Sequence, residues 1–128
     1  MIHLIDTHAL LWFLTADKRV TPAARRAFTD SANQMLLSIA SAWEIAIKTS
    51  LGKLTLPDTP QRWLRRELHT NSIGLLPVSF EHATKVAELP FHHRDPFDRM
   101  ICAQALEENL PVLSADEAFD SYGVRRVW

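Results

Sequence analysis

Short apolar runs, each stopping at a polar or acidic residue, alternate along this chain with capped amphipathic segments, and that alternation limits the fold more than any other feature. Ile2 to Ile5 reads as a buried strand ending at Asp6. Ala9 to Leu14 is apolar and helical, with Thr7 in position to cap it. Thr21-Pro22 places a capping hydroxyl and a first-turn proline before Ala23 to Phe28. Gln34 to Ser38 is a second short strand. The helix after it has apolar residues at 39, 43, 46 and 47, predicted to form its inner face, and Gly52 ends it. Thr59-Pro60 opens a helix through Trp63, Leu64 and Leu68. Gly74 to Val78 reads as a strand that Pro77 confines to an edge or an end. Ser79 caps a helix predicted to run to Leu89, and Asp95-Pro96 starts a strong one running to about Glu108. Pro111 to Ser114 is a strand, followed by a short helix, and Val124 to Trp128 is the last strand.

Strands and helices in this alternation predict an α/β domain with a central, mostly parallel sheet covered by helices on both faces. With 128 residues, the chain is expected to be a single domain spanning 1–128, large enough to fold without a disulfide or metal staple. The lone cysteine, Cys102, excludes an internal disulfide and any zinc site built from several thiolates. Its apolar neighbours mark it as a small core residue rather than a nucleophile. Three glycines, Gly52, Gly74 and Gly123, leave no glycine-rich phosphate loop. The net charge of −1 means that any contact with nucleic acid rests on a local basic patch, a bound cation or a partner. No apolar run of about 18 residues crosses a membrane, and Met1 to Asp6 lacks a basic start and long apolar stretch, so the protein is expected in the cytoplasm.

In sheets of this kind the ligand crevice lies at the carboxyl ends of the strands. Asp6 follows the first strand and Asp116 follows the strand that ends near Ser114. Asp98 lies in the first turn of one helix and Glu44 lies within another. Ionised carboxylates brought together repel, and a hard divalent cation such as Mg²⁺ or Mn²⁺ resolves the repulsion through oxygen ligands. Such a cation ionises water and stabilises the oxyanions of a phosphodiester displacement. Each acid also has a plain structural reading. Asp95 and Asp98 suit a helix cap, Glu44 an ion pair with Lys48 four residues on, Asp116 a turn, and Asp6 a cap for the next helix.

The ordered set Leu4-Ile5-Asp6-Thr7-His8, Ser41-Ala42-Trp43-Glu44-Ile45, His93-Arg94-Asp95-Pro96-Phe97-Asp98-Arg99 and Ser114-Ala115-Asp116 resembles the PIN-domain ribonucleases, specifically the VapC-like toxins of bacterial toxin–antitoxin pairs. The resemblance runs from Ile2 to Trp128. It implies a three-layer α/β/α sandwich and an Mg²⁺-dependent endoribonuclease in which Mn²⁺ substitutes. It matches Asp6, Glu44, Asp98 and Asp116 to the metal-binding catalytic acids, and Thr7 and Ser114 to the hydroxyl residues beside the metal. It also implies an RNA substrate, a cognate antitoxin protein and a homodimer.

Among the basic clusters, His93, Arg94 and Arg99 are the candidates for holding RNA, because they flank Asp98. Trp12, Phe13, Trp43 and Trp63 read equally as core or as surfaces for a second copy or an antitoxin helix. A serine–histidine–aspartate site using His3 or His8 lacks a nucleophile elbow. Two rival readings use the same acids. A phospho-receiver module needs a lysine after a late strand, and no lysine follows Lys85. A non-catalytic cation- or protein-binding α/β module is the alternative that the residues leave open.

Overall fold

The computed structural model describes residues 1–128. Strands β1 (Ile2–Ile5), β2 (Gln34–Ser38), β3 (Ile73–Leu76), β4 (Val112–Leu113) and β5 (Arg126–Val127) form one sheet in the order β3-β2-β1-β4-β5. Every pairing is parallel, with Leu4 opposite Leu36 and Val112, and Ile5 opposite Leu37 and Leu113. The connecting helices are α1 (Thr7–Leu14), α2 (Pro22–Thr29), α3 (Ile39–Ser50), α4 (Pro60–Thr70), α5 (Phe80–Lys85) and α6 (Pro96–Glu108). From β1 the chain steps outward to β2 and β3, then returns to lay β4 on the other side of β1. That reversal opens a crevice at the carboxyl ends of β1 and β4. The order also differs from the 2-1-3-4-5 arrangement of receiver-type folds, which removes the phospho-receiver reading.

Alternation along the strands splits the core into two layers. Ile5, Leu37 and Leu113 pack with Leu10 and Phe13 of α1 and Trp63, Leu64 and Leu68 of α4. On the opposite face Leu4 and Val112 pack with Ile101, Cys102 and Ala105 of α6 and with Phe119. The five strand residues named are fully buried, and each contributes about 1.5–3 kcal/mol by leaving water. The result is the α/β/α sandwich. None of its helices is long and apolar enough to cross a membrane.

The caps form where the local chemistry predicts them. Thr21 Oγ1 accepts from the Ala24 N–H at 3.1 Å, and Thr59 Oγ1 from the Arg62 N–H at 3.4 Å. Asp95 Oδ1 accepts from the N–H groups of Phe97 and Asp98 at 2.8 and 3.2 Å. Gly52, just past α3, adopts φ +70°, a conformation that costs a side chain strain but costs glycine none. β3 is an edge strand and Pro77 follows its last residue.

Four details depart from the sequence-based expectation. Thr7 is inside α1 rather than capping it; Asp6 holds the cap position. The helix after Ser79 loses α geometry at Lys85 and continues as a 3₁₀ turn over Val86–Glu88. The last strand pairs only at Arg126 and Val127. In α3 the apolar residues at 39, 43 and 46 are exposed and that at 47 is half-buried, while Ala40, Ser41, Glu44 and Ile45 are the buried ones. The inner face of α3 carries Glu44 into the interior, and its apolar surface at Ile39 and Trp43 is left outside.

Candidate metal centre

The crevice at the ends of β1 and β4 is a cavity of about 730 Å³ lined by Asp6, His8, Trp12, Arg19, His93, Asp95, Asp98, Ala115 and Asp116. Asp6 leaves β1 with its carboxylate buried and caps nothing with its side chain. Its Oδ2 accepts from Ser114 Oγ at 2.8 Å, while its buried Oδ1 has no partner. The Ser114 hydroxyl in turn accepts from the Asp116 N–H at 3.0 Å, so one side chain ties the first acid to the loop that carries another.

Glu44 enters from α3 and is 2% exposed. Lys48, one helical turn on, holds Oε2 through an ion pair of 2.6 Å. Oε1 is buried with no partner. The pairing holds the Lys48 ammonium above its ordinary pKa. The ion pair with Lys48 that is the plain structural reading of Glu44 does form, with the carboxylate in the interior. Thr7 Oγ1 donates to Ser41 Oγ at 2.8 Å, a buried bond that locks the start of α1 to the turn of α3 before Glu44. Thr7 thus supports the two elements that carry Asp6 and Glu44. Ser41 carries no signal of this role in the sequence beyond its place in a motif.

Asp98 lies in the first turn of α6, positioned by the Asp95 cap. Burial first, then the charges of Asp6 and Asp95, push its carboxyl up to about 7, against an opposing pull from His93. Burial likewise raises the Asp6 carboxyl, partly offset by the Ser114 hydrogen bond and by His8, with Asp116 and Glu44 adding to the rise. Asp116 caps the short helix after it, Oδ1 accepting from the Ala118 N–H at 2.9 Å. Its Oδ2 lies 2.8 Å from His93 Nε2, which is also 3.2 Å from Asp98 Oδ2. His93 Nδ1 accepts from the Asp95 N–H at 3.2 Å. That bond assigns the ring proton to Nε2, which donates to the carboxylates.

A hard cation fits these residues. Two buried carboxylate oxygens without a partner, on Asp6 and Glu44, are a costly arrangement that coordination would satisfy. The donor set is rich in oxygen, as Mg²⁺ and Mn²⁺ require. The ligand atoms of His93, Asp98 and Asp116 also lie within 4.8 Å of one another. A ligating imidazole nitrogen carries no proton, so His93 with its proton on Nε2 stands as a donor to the acids rather than as a ligand.

The candidate RNA contacts divide. His93 and Arg94 lie at the cavity or beside it, Arg94 exposed. Arg99 is buried, and this corrects its reading as an RNA contact. Its Nη1 donates to the carbonyls of Pro90 and His93 at 3.0 and 3.2 Å, and its Nη2 to those of Val86 and Leu89 at 3.0 and 3.1 Å. The guanidinium fork is consumed in fastening the segment that delivers His93. Cys102 is buried in α6, and burial pushes its thiol up to about 11, as suits a core residue. Phe13 and Trp63 are core, Trp12 is half-buried at the cavity, and Trp43 is 63% exposed.

A family model described as the PIN domain matches residues 3–124. Ribonuclease VapC22 of Mycobacterium tuberculosis is 27% identical over 120 residues, covering 93% of this chain and 90% of that protein. Ribonuclease VapC16 of the same organism is 43% identical over 54 residues, 42% of this chain and 37% of that protein. Among solved structures, VapBC2 from Rickettsia felis, bound to a DNA fragment from its promoter, superposes with a TM-score of 0.71 at 12% identity over 100% of both chains. VapBC-1 from nontypeable Haemophilus influenzae gives 0.68 at 14% identity over 98% of this chain and 96% of that one. At these identities the structures establish a shared fold.

Proposed function

Since the chain belongs to the PIN domain family, we propose that it is a metal-dependent endoribonuclease, the toxin of a toxin–antitoxin pair, with Asp6, Glu44, Asp98 and Asp116 holding Mg²⁺ or Mn²⁺. The observation that carries the metal half is the pair of buried, unpartnered oxygens, Asp6 Oδ1 and Glu44 Oε1. The ribonuclease half is supported by relatives named as ribonucleases. A divalent cation bound here supplies Lewis acidity, ionising water near neutral pH and stabilising charge on phosphate oxygens.

The chain's own groups prepare that site. Ser114 and Lys48 each hold one oxygen of Asp6 and Glu44 and leave the other bare. The Asp95 cap fixes the backbone from which Asp98 projects. Asp98 keeps a proton near neutrality in the absence of a cation, and that proton must leave for the carboxylate to ligate. His93 and Arg94 flank the cavity as contacts for RNA phosphate.

The substrate is RNA and the setting the cytoplasm. A cognate antitoxin is the expected protein partner, in keeping with a structural neighbour from Klebsiella pneumoniae named as a toxin–antitoxin complex. A homodimer would cover the outward apolar face of α3, where Ile39 and Trp43 stand exposed beside Phe97.

The test is cleavage of a mixed tRNA and ribosomal RNA pool with Mg²⁺ or Mn²⁺, with EDTA in parallel and Asp98→Asn beside the wild type. Cutting that needs the cation and is lost in the variant supports the proposal. Cation binding without any cutting favours the non-catalytic module.

A further inference from the structure

Four aspartates line the cavity, Asp6, Asp95, Asp98 and Asp116, and one arginine or lysine, Arg19. A polyanion entering so acidic a space needs a cationic contact at its wall. Arg19 is built as one. Its main-chain N–H and Nε both donate to Asp17 Oδ1, at 2.9 and 3.0 Å, and Nη2 donates to Oδ2 at 2.8 Å. The guanidinium carbon lies 4.3 Å from the centroid of the Trp12 ring. Trp12 is itself braced, with Trp128 at 5.8 Å and His8 at 6.2 Å between ring centroids. The guanidinium is thus clamped along one edge and supported from beneath. Its Nη1 donors make no hydrogen bond, and the side chain is 64% exposed.

We infer that Trp12 and Arg19 form a nucleotide platform for single-stranded RNA beside the acidic centre, with Arg19 Nη1 donating to a backbone phosphate and the open guanidinium face stacking a base. The inference rests on the proposed ribonuclease activity and names where its substrate is held. Guanidinium planes and aromatic rings both stack unpaired bases, and the fork geometry suits phosphate oxygens. Asp17 acts here as a positioning residue, since it touches Arg19 and not the RNA.

The experiment measures initial rates of cleavage against concentration of the tRNA and ribosomal RNA pool, at several NaCl concentrations, for wild type, Arg19→Ala and Arg19→Lys. The fold is checked by melting temperature and the cation site by Mn²⁺ titration. Arg19→Ala should raise the apparent KM about tenfold or more, the size of a lost charged hydrogen bond. The effect should fall on KM rather than kcat. The slope of log KM against log salt should become shallower by about 0.7, one phosphate contact on a single strand. Arg19→Lys should keep the wild-type salt slope yet raise KM, because lysine retains the charge and loses the plane. An unchanged KM in Arg19→Ala overturns the inference. So does an unchanged KM accompanied by weaker antitoxin binding, which assigns the pair to the protein partner. A wild type that cuts no RNA brings down the proposed activity itself, and the inference with it.

Discussion

Asp6 and Glu44, delivered by different elements, share one arrangement: each has one carboxylate oxygen held, by Ser114 Oγ at 2.8 Å and Lys48 Nζ at 2.6 Å, and one buried oxygen with no partner. Burial raises the Asp6 carboxyl, and the charges of Asp116 and Glu44 add to the rise. A positive charge between two such carboxylates favours their ionised forms.

Lys48 is the protein's own cation at the site. In Lys48→Met the Glu44 carboxylate stays buried and loses its partner. The cost should be about 2 kcal/mol in the metal-free protein, between the values for exposed and fully buried pairs, because the lysine is half-exposed. Saturating Mn²⁺ should recover part of the loss. Denaturant unfolding with and without Mn²⁺ checks this; an equal loss in both conditions would show that Lys48 serves stability alone.

The pH dependence has a definite sign. Asp98 titrates near 7 in the folded protein, against an ordinary value of 3.8. Between those values the folded state holds a proton that the unfolded chain has released, so stability falls as pH rises through that window. Asp6, also raised, adds in the same direction. The metal-free melting temperature should therefore decline from about pH 5 to pH 8. Mn²⁺ should raise it more at pH 8 than at pH 5, where the proton competes with the cation. A metal-free melting temperature that climbs over this range contradicts the assignment.

Arg99 is a structural anchor. Four carbonyls, of Val86, Leu89, Pro90 and His93, accept from its two terminal nitrogens. Arg99→Met leaves those carbonyls without donors and should cost about 3 kcal/mol or more. Arg99→Lys should restore little, because a single ammonium cannot span the fork. Chemical denaturation measures both, and a lysine variant as stable as wild type would contradict this role.

The outward face of α3 predicts an assembly. Ile39, Trp43, Val78, Val86, Phe97 and Met100 border an apolar groove of about 490 Å³, and Trp43 is 63% exposed. Trp43→Glu should turn a dimer into a monomer without unfolding it, as read by analytical ultracentrifugation. A wild type that sediments as a monomer at tens of micromolar removes the dimer proposal.

What was legible in the sequence follows from the range of the interactions involved. The Thr21-Pro22, Thr59-Pro60 and Asp95-Pro96 starts were readable because a cap is made within three residues. The strand-end positions of Asp6 and Asp116 followed from counting apolar residues. The inner face of α3 was not readable, since periodicity locates an apolar stripe on the helix and not whether the core or the outside receives it. Nothing near Arg99 in the chain shows that carbonyls from residues 86 to 93 will surround it. The Trp12–Arg19 pair is not legible for the same reason: Trp12 reads equally as core or as a docking surface, nothing local singles out Arg19, and only the assembled cavity places them together.

The central claim is that the four acids hold a divalent cation. Calorimetric titration of Mn²⁺ into metal-free wild type and Asp98→Asn, at pH 7.5, tests it without depending on the choice of RNA. The account predicts saturable binding to the wild type that weakens at least tenfold in the variant, with both proteins folded. Wild-type protein that binds no Mn²⁺, or a variant that binds it as well as wild type, would contradict it.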